Sequence, residues 1–213
     1  MAQVASEIKA YSRHDINSEP LTDLVPGDII GDMRIRKRGF VKICLPDGRC
    51  GWVRKDCVAP LETLNRCDVA EKVLESAVSC MGTPYMWGGL SVKGMDCSGL
   101  TKLAYLSAGI IIPRDASQQA LVGRPVAMDS LAKSDLVFFG NPETGRINHV
   151  AVYEGDGYCI ESAGRVKRSL VENAGHIMAA RRYAGNENSD GIITITSHPW
   201  YFDTESVEER TID

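Results

Sequence analysis

Residues 94–110, GMDCSGLTKLAYLSAGI, decide how the rest of the chain is read. Leu100, Leu103 and Ala104 recur at helical spacing, Asp96 stands where an N-cap belongs, and Gly109 stands where a helix stops. The pattern predicts a helix from Cys97 or Ser98 to about Ala108. Cys97 then falls in the first helical turn, beside unpaired backbone N–H groups and the positive end of the helix dipole, a setting that stabilises a thiolate. Its neighbours Ser98 and Gly99 are small, which leaves room for a substrate carbonyl to approach the sulfur and for N–H groups to hold an oxyanion.

Six other cysteines surround this one: Cys44, Cys50, Cys57, Cys67, Cys80 and Cys159. Seven is an odd number and no CxxC pair occurs, so neither a closed disulfide framework nor a zinc site follows; reduced thiols are expected. Cys80 falls late in the preceding helix, and Cys44 and Cys159 fall within strands, where a small buried hydrophobe is the expected role.

A cysteine nucleophile needs a base. Of the four histidines, only His149 opens an apolar strand, HVAVY, behind the loop-like GNPETGRINH. Taken alone it reads as a structural or surface strand histidine; paired with a helix-start cysteine it reads equally as a base. A third side chain would orient its other ring nitrogen. If Val152 lies opposite Tyr158 across the following hairpin, His149 lies opposite Glu161 on one face. Glu161 also reads as an exposed carboxylate at a strand end.

The period changes along the chain. Between about 20 and 60, Phe40, Lys42 and Cys44 alternate with Val41, Ile43 and Leu45, and PDGR precedes CGWV, so a β-hairpin in a small all-β unit is expected. After Pro60 the spacing becomes helical, with Val69, Val73, Leu74, Ala77, Val78 and Met81 on one face, Asp68 and Glu71 as a capping box, and Gly82 and Pro84 as the stop. Strands follow at 135–140, 149–153 and 158–162, the last two joined by EGDG, and another begins at Gly191. Helices first and strands later indicate an α+β domain. The divisions are therefore 1–60, 61–200 and an acidic tail at 201–213.

Composition excludes several classes. The chain has 213 residues, 44% of them hydrophobic, enough for a sizeable core. A net charge of -4 gives no footprint for nucleic acid, and the basic run 34–38, broken by Ile35, reads as a solvated strand face. No stretch approaches the ~20 apolar residues needed to span a bilayer. The first residues lack the order of a secretory signal, which with seven cysteines points to the cytoplasm; a trimmed signal would instead mean secretion or the cell envelope.

The segments GTPYMWGG (82–89), MDCSGL (95–100), IPRDASQQ (112–119), SDLVFF (134–139), NHVAVYEGDG (148–157) and YCIESAG (158–164) resemble the NlpC/P60 family of papain-like cysteine peptidases, in order and over about 85 residues. The hydrophobic strand, PDG turn and GWV strand ahead of them resemble the bacterial SH3-like (SH3b) module, which implies a small all-β barrel before the catalytic domain. The pairing resembles the subgroup that cuts peptidoglycan stem peptides between γ-D-glutamate and the following diamino acid.

What the resemblance implies is specific. Cys97 matches the nucleophile and His149 the base. Tyr85 matches a tyrosine that helps position the reacting carbonyl, though such an aromatic also reads as core. Asp96 and Ser98 match the pair that grips the free amine of a terminal L-alanine. Arg114 and Asp115 match a motif at the cleft edge, with substrate contact or a structural salt bridge as the alternatives. Glu161 stands where the family commonly has a polar residue such as histidine. The implied chemistry requires no metal or organic cofactor, and the implied partners are stem peptides. Two other functions fit the same residues: a murein-binding protein with an impaired site, and acyl transfer to an amine.

Overall fold

A computed structural model of the chain describes residues 1–66 and 68–202. Cys67 and residues 203–213, most of the expected acidic tail, lie outside the described residues. The chain divides into two compact units, Met1–Arg66 and Cys67–Asp213. The division falls after residues 61–66 rather than before them. Leu61–Arg66 forms a 3-10 helix, Leu61 and Leu64 are buried, and the Leu61 N–H bonds the Met1 carbonyl at 3.3 Å.

The first unit is all-β. Its strands are β1 (Ala2–Val4), β2 (Ile8–Tyr11), β3 (Pro20–Leu24), β4 (Ile29–Lys37), β5 (Phe40–Cys44), β6 (Cys50–Arg54) and β7 (Val58–Pro60). They pair antiparallel in the order β3-β2-β6-β5-β4-β1-β7. The alternating hairpin is β5 and β6, where Val41, Ile43 and Val53 join Ala2, Val4 and Ile30 in the core. Gly48 supplies the positive φ of its turn, at 84°.

The second unit places helices on an antiparallel sheet. In chain order it holds α1 (Val69–Ser79), β8 (Leu90–Ser91), β9 (Gly94–Met95), α2 (Cys97–Ser107), β10 (Ile110–Ile111), α3 (Ala116–Gln119), β11 (Arg124–Pro125), β12 (Leu136–Asn141), β13 (Arg146–Gly155), β14 (Tyr158–Ala163), β15 (Arg165–Leu170), β16 (Ile177–Arg182) and β17 (Ile193–Thr194). Six of these strands form one sheet, β11-β16-β12-β13-β14-β15. Leu100, Leu103 and Ala104 of α2 pack with Leu136, Phe138, Val150, Val152 and Ile160. The alternate residues Val137, Phe139, Ala151 and Cys159 form a second, smaller core. Asp68 caps α1 through the Ala70 and Glu71 N–H groups. Among the described residues no helix is long and apolar enough to cross a membrane.

Three further expectations change. The apolar face of α1 is narrower than its spacing suggests: Val73 and Ala77 are buried, but Val78 and Met81 are 48% and 46% exposed. Val78 lies about 100° around the helix from Ala77, and Met81 lies beyond its end. The strand expected from Gly191 is only β17, because its partner β10 offers two residues to pair with; Ile195–Ser197 turns into a 3-10 helix.

The third change is register. Asp156 and Gly157 both have positive φ, 50° and 79°, as a two-residue hairpin turn of the I′ kind requires. Gly155 therefore pairs with Tyr158, and after a bulge Val152 pairs with Ile160 and Ala151 with Glu161. His149 is thus diagonal to Glu161 rather than directly opposite. A slip of two residues keeps both side chains on the same face, whereas a slip of one would have separated them.

Candidate active site

The start of α2 is built by its own sequence. Asp96 Oδ1 accepts the Gly99 N–H at 2.7 Å and Oδ2 accepts the Gly88 N–H at 2.8 Å, so one carboxylate caps the helix and ties down the preceding loop. The Gly89 carbonyl accepts the Asp96 N–H at 3.3 Å. A Cβ on Gly99 would lie 2.2 Å from that carbonyl oxygen. Gly99 is therefore glycine because loop backbone crosses it, not because it clears a path to the sulfur.

Segment 112–119 braces the same helix turn. Arg114 donates from Nη1 to Asp96 Oδ1 (3.0 Å) and Ser98 Oγ (2.9 Å), and from Nη2 to Asp96 Oδ2 (2.7 Å). Ser98 Oγ in turn donates to Asp96 Oδ1 at 3.3 Å. Burial raises the Asp96 pKa, but Arg114 and the Gly99 and Gly88 N–H groups hold it below the usual carboxylate value. Gln119, fully buried, donates to the Ser98 and Pro113 carbonyls and accepts from the Thr101 hydroxyl. Thr101 does not stand out in the sequence, and Gln119 enters it only as the last residue of the IPRDASQQ segment.

Cys97, 8% exposed, lies on the wall of an open cleft of about 1210 Å³ shared with Trp87, Ser98, Arg114, Leu121 and Arg146. The N–H groups of Cys97 and Ser98 belong to the first helical turn and have no acceptor within α2. Tyr85 is exposed, at 37%; partial desolvation first, then the nearby Cys97 and Asp96, raises its pKa. Cys80 and Cys159 are buried elsewhere, and burial pushes their thiols up, Cys159 to about 12.

His149 and Glu161 meet as the site requires. Nε2 of His149 lies 2.7 Å from Glu161 Oε2, which leaves Nδ1 as the ring nitrogen for Cys97. The imidazole rests against the Phe139 ring, with centroids 5.7 Å apart. Burial opposes a charge on His149, yet the nearby Cys97 sulfur and the Glu161 carboxylate bonded to the ring raise its pKa to about 9. Glu161 is 3% exposed; burial raises its pKa, but His149, Ser169 and Lys167 together hold it below the ordinary value. A sulfur at a helix start, facing an imidazolium backed by a carboxylate, can attack a carbonyl carbon and deliver a proton to a leaving amine. Among the described residues no group of three or more His, Cys, Asp and Glu side chains could hold a metal ion.

Of the residues picked out in the sequence, the structure joins His149 and Glu161 by a hydrogen bond, with Cys97 close enough to act on the His149 charge, and gathers Asp96, Ser98 and Arg114 in an adjoining network. Ser169 and Lys167, which touch Glu161, escape a sequence reading because RVKRSL has too many cations to look like a strand. Carrying the antiparallel pairing on past the Gly164 turn would have found them.

A model of the NlpC/P60 family matches residues 82–184. A γ-D-glutamyl-L-lysine dipeptidyl-peptidase of Bacillus cereus is 37% identical over 152 residues, covering 67% of this chain and 45% of its own length. The peptidoglycan endopeptidase RipB of Mycobacterium tuberculosis is 38% identical over 127 residues, 52% of each protein. The crystal structure of an NlpC/P60 family protein from Bacillus cereus superposes with a TM-score of 0.76 at 29% identity, over 86% of this chain and 63% of that one. The chain spans about half the length of the curated relatives it matches.

Proposed function

Since the chain belongs to the NlpC/P60 family, we propose that it is a cysteine endopeptidase that hydrolyses the amide between γ-D-glutamate and the diamino acid of peptidoglycan stem peptides. The observation that carries this is the hydrogen-bonded His149–Glu161 pair close to Cys97, which lines an open cleft. The names of the relatives support the bond and the substrate class. Cys97 Sγ attacks the γ-carbonyl carbon, and the N–H groups at the start of α2, with Tyr85, hold the oxyanion. His149 gives its proton to the leaving amine, and a thioester remains. Water, deprotonated by His149, releases the acid and restores the thiol. Glu161 holds the imidazole upright throughout and stays ionised.

Asp96 and Ser98 take the free amine of the terminal L-alanine in this proposal. Asp96 Oδ1 already has three donors, while Oδ2 has two, so the ammonium is placed on Oδ2. The first unit is proposed to be an SH3-like module that precedes the catalytic one, and peptide recycling in the cytoplasm is proposed from the number of cysteines.

The test is incubation of the purified chain with L-Ala-γ-D-Glu-L-Lys and with its diaminopimelate counterpart, with products identified by mass. Release of the diamino acid and L-Ala-D-Glu by the wild type, and none by Cys97→Ala, is expected. Turnover by Cys97→Ala, or none by the wild type, overturns the proposal.

A further inference from the structure

The hydrogen bonding that starts at His149 does not end at Glu161. Its Oε1, the oxygen not used by His149, accepts a 2.6 Å hydrogen bond from Ser169 Oγ, and Lys167 Nζ stands 3.6 Å from the same atom. Both residues come from β15, the edge strand of the six-stranded sheet. Lys167 pairs directly with Glu161, and Ser169 pairs with Cys159 two residues along, so all three side chains share a face.

This arrangement answers a physical need. Glutamate has three side-chain torsions, and a bond to His149 alone fixes only one oxygen. A carboxylate as deeply buried as Glu161 is costly unless both oxygens are filled. Ser169 donates to one oxygen and His149 to the other, so neither is left to carry a proton. The groups that face Glu161 are His149 on β13 and Lys167 and Ser169 on β15; Cys159, one pair away on β14, is a neutral thiol, and Cys97 on α2 lies beyond His149.

We propose that Ser169 and Lys167 are positioning residues, which fix Glu161 from β15 as a carboxylate in the rotamer that meets His149. The orienting element of the site is then a relay across three strands rather than one side chain. Its effect on turnover rests on the peptidase reading; its effect on Cys97 reactivity does not.

The experiment uses the full chain and the variants Ser169→Ala, Ser169→Thr, Lys167→Ala, Glu161→Gln and Ser169→Ala with Glu161→Gln. Two quantities are measured against pH: kcat and KM on the free tripeptide, and the rate of iodoacetamide alkylation at Cys97, read by peptide mass mapping. Ser169→Ala is expected to lower kcat about tenfold with little change in KM, as loss of a hydrogen bond to a charged group implies. Its active pH window narrows, because Glu161 protonates more easily on the acid side and His149 loses support on the alkaline side. Ser169→Thr, which keeps the hydroxyl, restores the wild-type profile. Lys167→Ala moves the acid limb the same way by less, and salt erases the difference, since that ammonium is 44% exposed. In the Glu161→Gln background Ser169→Ala adds little. Unchanged kcat and alkylation profiles in Ser169→Ala, or an undiminished effect in the Glu161→Gln background, overturn the relay. A wild type that shows the alkylation profile but cleaves no tripeptide overturns the peptidase reading instead, and the alkylation series still decides the relay.

Discussion

Arg114 grips both oxygens of Asp96, at 3.0 and 2.7 Å, while the same carboxylate caps the helix that begins with Cys97. The two alternatives that the sequence leaves for Arg114 are thereby joined: its salt bridge is what sets the carboxylate that the substrate amine is proposed to meet. A guanidinium does this with two parallel bonds, which an ammonium cannot copy.

Blocking the amine tests that placement. Acetylation of the terminal L-alanine removes the positive charge and strands the acceptor on Oδ2, so kcat/KM for the tripeptide is expected to fall about 100-fold, the worth of a charge-assisted hydrogen bond lost in a buried site. Competition between acetylated and free tripeptide, followed by mass, measures it. Equal turnover of the two would remove Asp96 from substrate recognition and leave it a helix cap.

The start of α2 yields a prediction whose sign opposes helix propensity. Glycine to alanine inside a helix ordinarily stabilises by about 1 kcal/mol. At Gly99 the added Cβ meets the Gly89 carbonyl oxygen at 2.2 Å, and the obstacle is backbone. Gly99→Ala should therefore destabilise by about 2 kcal/mol or more, a fall in Tm of several degrees. Cys97 shares this turn, so kcat should fall as well. A thermal melt with an unchanged or raised Tm would contradict the packing.

These particulars show why part of the site is readable in the sequence and part is not. Asp96, Cys97 and Gly109 are local signals: cap, first turn and stop depend on residues that follow one another. Glu161 is found despite a wrong register, because strand faces repeat every two residues and the error was two. The Arg114 pairing spans 18 residues and a loop, and no periodicity encodes it. Strand β15 is unreadable for a related reason: an edge strand that contains Arg165, Lys167 and Arg168 carries charges that discourage further pairing, and these mask its alternation. Whether Val78 is buried depends on how far the neighbouring elements wrap around α1, which its own spacing does not contain.

His149 ties stability to pH. Its pKa in the folded protein is raised to about 9, above the unfolded value, so its contribution is fully present below about 6.5 and is lost as pH rises through about 9. Thermal melts of the wild type and His149→Gln at pH 6 and pH 9.5 are the measurement. The wild type should be the more stable at pH 6, by several degrees, and the gap should narrow at pH 9.5. A gap that widens with pH would mean that the imidazole is buried neutral.

Glu161→Gln separates charge from orientation at the third position. The amide can keep a 2.7 Å contact to His149 Nε2 through its oxygen, so the contact to the ring survives. What disappears is the negative charge that helps hold the proton on His149. The alkaline limb of kcat/KM should therefore move to lower pH, and kcat/KM at its optimum should fall by about tenfold, the effect of removing a charged partner from one hydrogen bond. Full kcat/KM across the pH range in this variant would show that the carboxylate charge is dispensable and that Glu161 serves only as an acceptor. A fall without any movement of the alkaline limb would mean that the amide has failed to orient the ring, which the Tm of the variant and its Cys97 alkylation rate would then report together.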